Sequence, residues 1–241
     1  MSAQITDYVD SRVTMQPIGT LPPRTNGNSR HSSTPSEADT SGLSDGMRIQ
    51  LDTTIALAED PIAQNNYVAG LFKEISQLEP SRRAEQCSAL LTLHQMIGEG
   101  SFTTWDENFK PLLLHIFEVL KVSDAGLKKQ ALRLLSKICL AQPARLYDLA
   151  EMTVFKVLDS VTDEENLQVI HVADECLKTL AIHLPLHIVI RALNPIIAQL
   201  SDPRVGPSLK MLTRLVEAME PDELLPVLPD ITPGVVNVSL I

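Results

Sequence analysis

His183 and His187 stand four residues apart, the spacing at which one helix can offer two imidazoles to a metal ion. Pro185 lies between them and ends or kinks any helix that carries both, so metal binding is not expected there. His171, Asp174 and Glu175 share a helical neighbourhood without a third element at motif spacing, and read as a solvated face. His94 falls among Leu90, Leu91 and Ile97, where an imidazole reads as a hydrogen-bonded edge of a core, and nothing places a nucleophile beside it. Cys87, Cys139 and Cys176 are widely separated, with no CxxC pair and no histidine at zinc-finger spacing, and read as core thiols of a reducing compartment. There is no GxSxG, no phosphate-cradling glycine loop and no acidic cluster of cation-binding spacing. These residues support no catalytic, cofactor or metal site, and the chain is expected not to be an enzyme.

Charge narrows the partners in the same direction. A formal net charge of -10 opposes general affinity for nucleic acid or anionic membrane, which needs an excess of lysine and arginine. Aromatic residues make up 4% and do not interleave with basic ones as base-stacking platforms do. No stretch approaches the roughly 20 uninterrupted apolar residues that span a bilayer. The opening MSAQITDYVD lacks the basic and apolar regions of a secretory signal, so the cytoplasm is the expected location.

The elements that could position a binding surface are helices. Phe109, Leu112, Leu113, Ile116, Phe117 and Leu120 follow i, i+3, i+4, i+7, i+8, i+11 on one face. After Ser123 or Asp124, either able to N-cap, the series Leu127, Ala131, Leu134, Leu135, Ile138 and Cys139 repeats that spacing, which makes an antiparallel hairpin. Leu146, Leu149, Ala150, Val157 and Leu158 lead through an acidic turn at Asp163 to Ile170, Ala173, Leu177, Leu180, Ala181 and Leu184. Val189, Leu193, Ile196, Ile197 and Leu200 lead through Asp202-Pro203, an N-cap and first-turn pair, to Leu209, Leu212, Val216 and Met219. Upstream, Tyr67, Leu71 and Ile75 precede Pro80-Ser81 and a helix with Cys87, Leu90, Leu91 and Ile97. Corresponding points recur every ~40 residues, which predicts an all-α HEAT-repeat solenoid of antiparallel helix pairs over residues 62–241. Asp222 to Ile231 reads as a fifth first-helix with no partner left to cover it, so the domain is expected to be truncated at its C-terminal end.

Residues 1–61 are rich in Ser, Thr, Pro, Gly and Asn and are predicted to be a disordered tail. Thr34-Pro35 has the form that a proline-directed kinase accepts, a dipeptide common in any Ser/Pro-rich linker. Gly19-Thr20-Leu21-Pro22 has the outline of a Ser/Thr-x-Ile/Leu-Pro peptide, but Gly19 cannot supply the hydroxyl.

Several segments also stand in the register of a known family. Trp105-Asp106-Glu107-Asn108-Phe109-Lys110-Pro111-Leu112-Leu113-Leu114 is followed by Ala131-Leu132-Arg133, Gln142-Pro143-Ala144-Arg145 and Ala150-Glu151-Met152-Thr153. Thr179-Leu180-Ala181, Pro195-Ile196-Ile197, Lys210-Met211 and Asp230-Ile231 continue the order, so that it covers about residues 66–234. This region resembles the C-terminal TOG-type HEAT domain of the CLASP family, the cytoplasmic linker-associated proteins.

The resemblance implies a microtubule-associated adaptor acting at microtubule plus ends, the mitotic spindle, the kinetochore and the cell cortex. Its implied partners are CLIP-type plus-end proteins and kinetochore proteins, with microtubules or tubulin bound weakly or indirectly. In TOG domains tubulin contact runs through the turns within each hairpin, which makes Arg82, Arg83, Lys128, Lys129, Arg204 and Lys210 the candidate binding residues here. Asp163, Glu164 and Glu165 at the third turn would repel an acidic tubulin surface. Lys128 and Lys129 fit equally well as the solvated outer side of a helix. The preceding TOG domains of a full-length family member are lacking, so microtubule activity by this chain alone is not expected. A direct tubulin-binding TOG domain and a generic HEAT scaffold stay open as alternatives.

Overall fold

A computed structural model describes residues 60–77, 79–98, 105–162 and 165–239. Ten α-helices follow one another among the described residues: α1 (Pro61–Ile75), α2 (Arg83–Gly98), α3 (Trp105–Leu120), α4 (Ala125–Ala141), α5 (Ala150–Thr162), α6 (Leu167–His183), α7 (Leu186–Ile197), α8 (Val205–Glu217), α9 (Pro221–Leu224) and α10 (Leu228–Ser239). Short 3-10 segments at Pro80–Arg82 and Pro143–Leu149 precede α2 and α5.

Local chemistry sets several helix starts. Asp60 accepts from the Ile62 and Ala63 N–H groups with Pro61 in the first helical position. Asp124 accepts from the Leu127 N–H, and Asn166 from those of Gln168 and Val169. Each cap satisfies amide donors that the helix cannot, worth about 1 kcal/mol apiece. Pro185 separates α6 from α7, so α6 stops at His183.

Packing arranges the helices in two layers. One layer stacks α2 on α4, α4 on α6 and α6 on α8, and the other α1 on α3, α3 on α5, α5 on α7 and α7 on α10. Hydrogen bonds between neighbouring hairpins recur at separations of 39 or 40 residues, as in Ser76–His115, Lys129–Gln168, Cys139–Thr179 and Arg214–Asp174. This regular offset marks an all-α, HEAT-like solenoid in which each hairpin buries its apolar face against the next. Every apolar residue assigned from spacing to α3 and α4 is buried, and Trp105, Leu112, Leu113, Ile116, Leu132 and Leu135 lie at the centre of the core.

Four local readings differ from the sequence expectation. Leu91 is exposed, and the buried face of α2 runs through Gln86, Leu90, Leu93, Met96 and Ile97 instead. Pro143–Leu149 forms a 3-10 segment, so α5 begins only at Ala150. Asp202 and Pro203 lie in a turn before α8, where the Asp202 carboxylate accepts from the Arg204 N–H, and the helix starts at Val205. The stretch read as one helix over Asp222–Ile231 is split into α9 and α10, and α10 packs on α7 with the Asn194 side-chain amide donating to the Asp230 carbonyl at 3.0 Å. The tail reading of residues 1–61, with Thr34-Pro35 and the peptide at Gly19, falls almost wholly on residues 1–59, outside the described residues.

Candidate functional site

Stacking of the hairpins brings their turns side by side, and polar side chains link several of them. Arg83 at the start of α2 donates to Gln86 Oε1 at 3.0 Å and lies 3.7 Å from Asp124 at the following turn. Gln86, buried, donates in turn to the Ile75 carbonyl at 3.4 Å and to that of Gln77, closing the C-terminal end of α1. Lys129 Nζ donates to Gln168 Oε1 at 2.8 Å, which joins the second turn to the third hairpin. Arg204 Nη1 reaches Asp159 Oδ1 at 3.2 Å, which joins the fourth turn to the end of α5.

Most of the candidate cations therefore face carboxylates or amides of this same chain. Arg82 pairs with Glu74 at 2.7 Å and donates to Gln77 at 3.2 Å. Arg204 is held by Asp202 through Nε at 3.0 Å and Nη2 at 2.7 Å, with its guanidinium 5.9 Å from the Phe155 ring centroid. The Arg204 hydrogen bonds hold the Asp202 carboxyl at about 2. Lys210 stands on α8 beyond the turn and pairs with Asp174 of α6 at 2.9 Å. Lys128 borders a hollow of about 440 Å³ that Lys121, Lys156 and Asp159 also line, between the second and third hairpins. There Lys121 pairs with Glu118 at 2.6 Å, and Lys156 stands 3.7 Å from Asp159. Asp163 and Glu164 of the third turn lie outside the described residues.

Asp174 is the residue that spacing alone misplaced. It is not on a solvated face: Arg214 donates to both of its carboxylate oxygens, at 3.1 and 2.7 Å, and to its backbone carbonyl at 3.0 Å. Burial pushes the Asp174 carboxyl up, but the hydrogen bonds from Arg214 and Lys210 outweigh it and the pKa falls below the ordinary value. The partners lie 36 and 40 residues away, so no local pattern could reveal them.

The other groups singled out by type fall apart in space or sit in the core. His183 hydrogen-bonds the Thr179 carbonyl at 2.9 Å at the end of α6, while His187 belongs to α7. Among the described residues no group of three His, Cys, Asp or Glu side chains converges to hold a metal ion, and no helix is long and apolar enough to cross a membrane. Burial pushes the Cys139 and Cys176 thiols up to about 12. His94 is half-buried, and its pKa is lowered by burial and then by Lys137 and Arg133.

No protein-family model matches the chain. Over 193 residues it is 40% identical to CLASP-2 of Caenorhabditis elegans, an alignment covering 79% of this chain and 19% of that protein. Over 205 residues it is 37% identical to CLASP-3 of Caenorhabditis briggsae, covering 83% and 21%. Over 181 residues it is 35% identical to CLIP-associating protein 1 of Xenopus tropicalis, covering 75% and 12%. The chain belongs to the CLASP family. It spans at most about a fifth of the length of these CLASP relatives. Two of the segments that carry the CLASP resemblance meet in the structure: Arg145 of Gln142–Arg145 pairs with Asp106, next to Trp105, at 2.5 Å. That ion pair is largely exposed and links the 3-10 segment before α5 to the start of α3, across two successive CLASP hairpins.

Proposed function

We propose that this chain is a microtubule-associated adaptor of the CLASP type. It presents a helical-repeat surface to proteins of the microtubule plus end, in support of plus-end stabilisation and of spindle and kinetochore organisation. The observation that carries this reading is the 33–40% identity to proteins named CLASP or CLIP-associating protein over about three quarters or more of the chain. CLIP-type plus-end proteins and kinetochore proteins are the proposed partners, and the microtubule cytoskeleton of the cytoplasm the proposed location. Partner binding is favoured over strong direct tubulin binding because Arg82, Arg83, Arg204 and Lys210 already face carboxylates of their own chain. A cation held in this way must give up an existing partner before it meets an acidic surface, which lowers the net gain on binding.

A second reading, direct tubulin contact through the turns, draws support from the hollow that Lys121, Lys128 and Lys156 line. One experiment separates the two. The full chain is used as bait in dividing-cell extract, blotted for CLIP-type and kinetochore proteins, and titrated in parallel against purified soluble tubulin. Capture of those proteins without tubulin binding is expected. Tubulin binding that is lost in a Lys128→Glu/Lys129→Glu variant would establish the second reading, and absence of both activities would end the adaptor reading.

A further inference from the structure

The layer formed by α2, α4 and α6 carries a groove of about 380 Å³. Its cationic lining is Arg133 and Lys137 of α4, its imidazoles are His94 of α2 and His171 of α6, and its apolar surface is Leu140 and Val172. Leu140 is 54% exposed, unusual for a leucine in a repeat whose other α4 leucines are fully buried.

The charge state of this groove sets it apart. Every other arginine among the described residues holds a carboxylate: Arg82 with Glu74, Arg83 with Asp124, Arg145 with Asp106, Arg191 with Glu151, Arg204 with Asp202 and Arg214 with Asp174. Arg133, exposed on α4, has no carboxylate partner among them, in a chain whose formal net charge is -10. Lys137 likewise forms no ion pair among the described residues. The end of the Lys137 side chain lies beside the end of α2, where a methyl added at Gly98 would meet its Cε at 2.8 Å and its Nζ at 3.0 Å. One carboxylate, that of the exposed Glu175, borders the same space.

We infer that this groove docks a short acidic segment of a partner protein, with Arg133 and Lys137 pairing its carboxylates and Leu140 with Val172 receiving an apolar side chain between them. Complementarity of charge carries the choice of occupant: an acidic, leucine-bearing peptide matches two unpaired cations flanking an exposed apolar surface. A guanidinium without a partner takes a carboxylate through two parallel hydrogen bonds and breaks no internal ion pair in doing so. The His94 pKa is lowered first by burial, and Lys137 and Arg133 beside it add to that in the same direction. His94, His171 and Glu175 are the other titratable groups facing this space. This assignment rests on the adaptor reading for its biological sense, because it names the kind of segment that an adaptor surface would take.

The test uses the full chain and a fluorescein-labelled peptide of sequence Glu-Glu-Leu-Glu-Glu-Leu-Glu-Glu, read by anisotropy at low salt. Binding is expected to weaken at least 10-fold in Arg133→Glu/Lys137→Glu, and to stay within about 2-fold in Lys73→Glu/Lys110→Glu, which reverses two exposed charges of the other layer, with rising ionic strength weakening it further. The glutamine version of the peptide should bind at least 10-fold more weakly. Saturating peptide should raise the His94 imidazole pKa, followed by NMR, and a His94→Gln chain identifies the resonance. No binding, equal loss in both double variants, or equal binding of a single-stranded DNA oligonucleotide would overturn the assignment. Arg133 is exposed, so unchanged circular dichroism and melting of the groove variant separate lost binding from lost fold. Peptide binding at the groove with no microtubule-associated protein captured would leave the groove standing and remove the adaptor reading; capture unaffected by the groove variant would do the reverse.

Discussion

Replacing Asp174 by alanine tests whether polar links between successive hairpins contribute to stability. Asp174 and Arg214 are each 20% exposed and share two charge-assisted hydrogen bonds, at 2.7 and 3.1 Å, between α6 and α8. Hydrogen bonds to charged groups contribute ~1.5–3 kcal/mol when shielded, whereas an exposed ion pair contributes ~0–1. Lys210, 58% exposed, belongs to the second class. Once Asp174 is removed, Arg214 can turn partly to water, so Asp174→Ala is expected to destabilise by about 2 kcal/mol and Lys210→Ala by less than ~0.5. At ~2–4 °C per kcal/mol for a domain of this size, Tm falls by roughly 4–8 °C. Thermal unfolding can be followed through Trp105, the one tryptophan of the chain, buried at the start of α3. The pH dependence has a definite sign. The folded-state pKa of Asp174 lies below its ordinary value of 3.8, so its contribution is complete above that value and is lost as pH falls through the folded one. The gap between wild type and Asp174→Ala should therefore be constant near neutrality and narrow progressively below pH 3.8. A loss under ~0.5 kcal/mol at pH 7, or a gap indifferent to acid, would refute the reasoning.

Leu135→Ala should cost ~2–5 kcal/mol in urea unfolding because it opens a cavity in a site with no exposure, whereas Leu91→Ala should stay within ~0.5 kcal/mol. Trp105→Ala is expected to remove ~3–5 kcal/mol, measured by circular dichroism since the fluorophore is lost. With thiols pushed up to about 12, Cys139 and Cys176 should resist Ellman's reagent at pH 8 until the chain unfolds, while half-buried Cys87 reacts first. Arg204→Ala should let the Asp202 carboxyl rise from about 2 toward the ordinary range, an upward shift visible in the side-chain NMR titration.

The helices were legible wherever one face alone carried the apolar residues. In α3 and α4 the spacing of Phe109 to Leu120 and Leu127 to Cys139 left a single stripe to bury, and Asp124 marked the turn between them. In α2 the adjacent Leu90, Leu91 and Leu93 allow two overlapping stripes, and contact with α4 selected the one through Leu93. The 3-10 segment at Pro143 and the break between α9 and α10 depend on how the chain enters the next hairpin, which periodicity does not encode.

The sequence by itself determined the helical period, the repeat near 40 residues and the membership of the CLASP family, because each is written in the order of residues along the chain. Tertiary structure alone decided which charges face outward without a partner. Arg204 and Lys210 look as available as Arg133 in the sequence, yet Asp159 and Asp174 reach the first two across 45 and 36 residues, and no carboxylate among the described residues reaches the third. An apolar stripe needs only neighbours three and four positions away, whereas an ion pair needs a partner that stacking must first bring within about 4 Å.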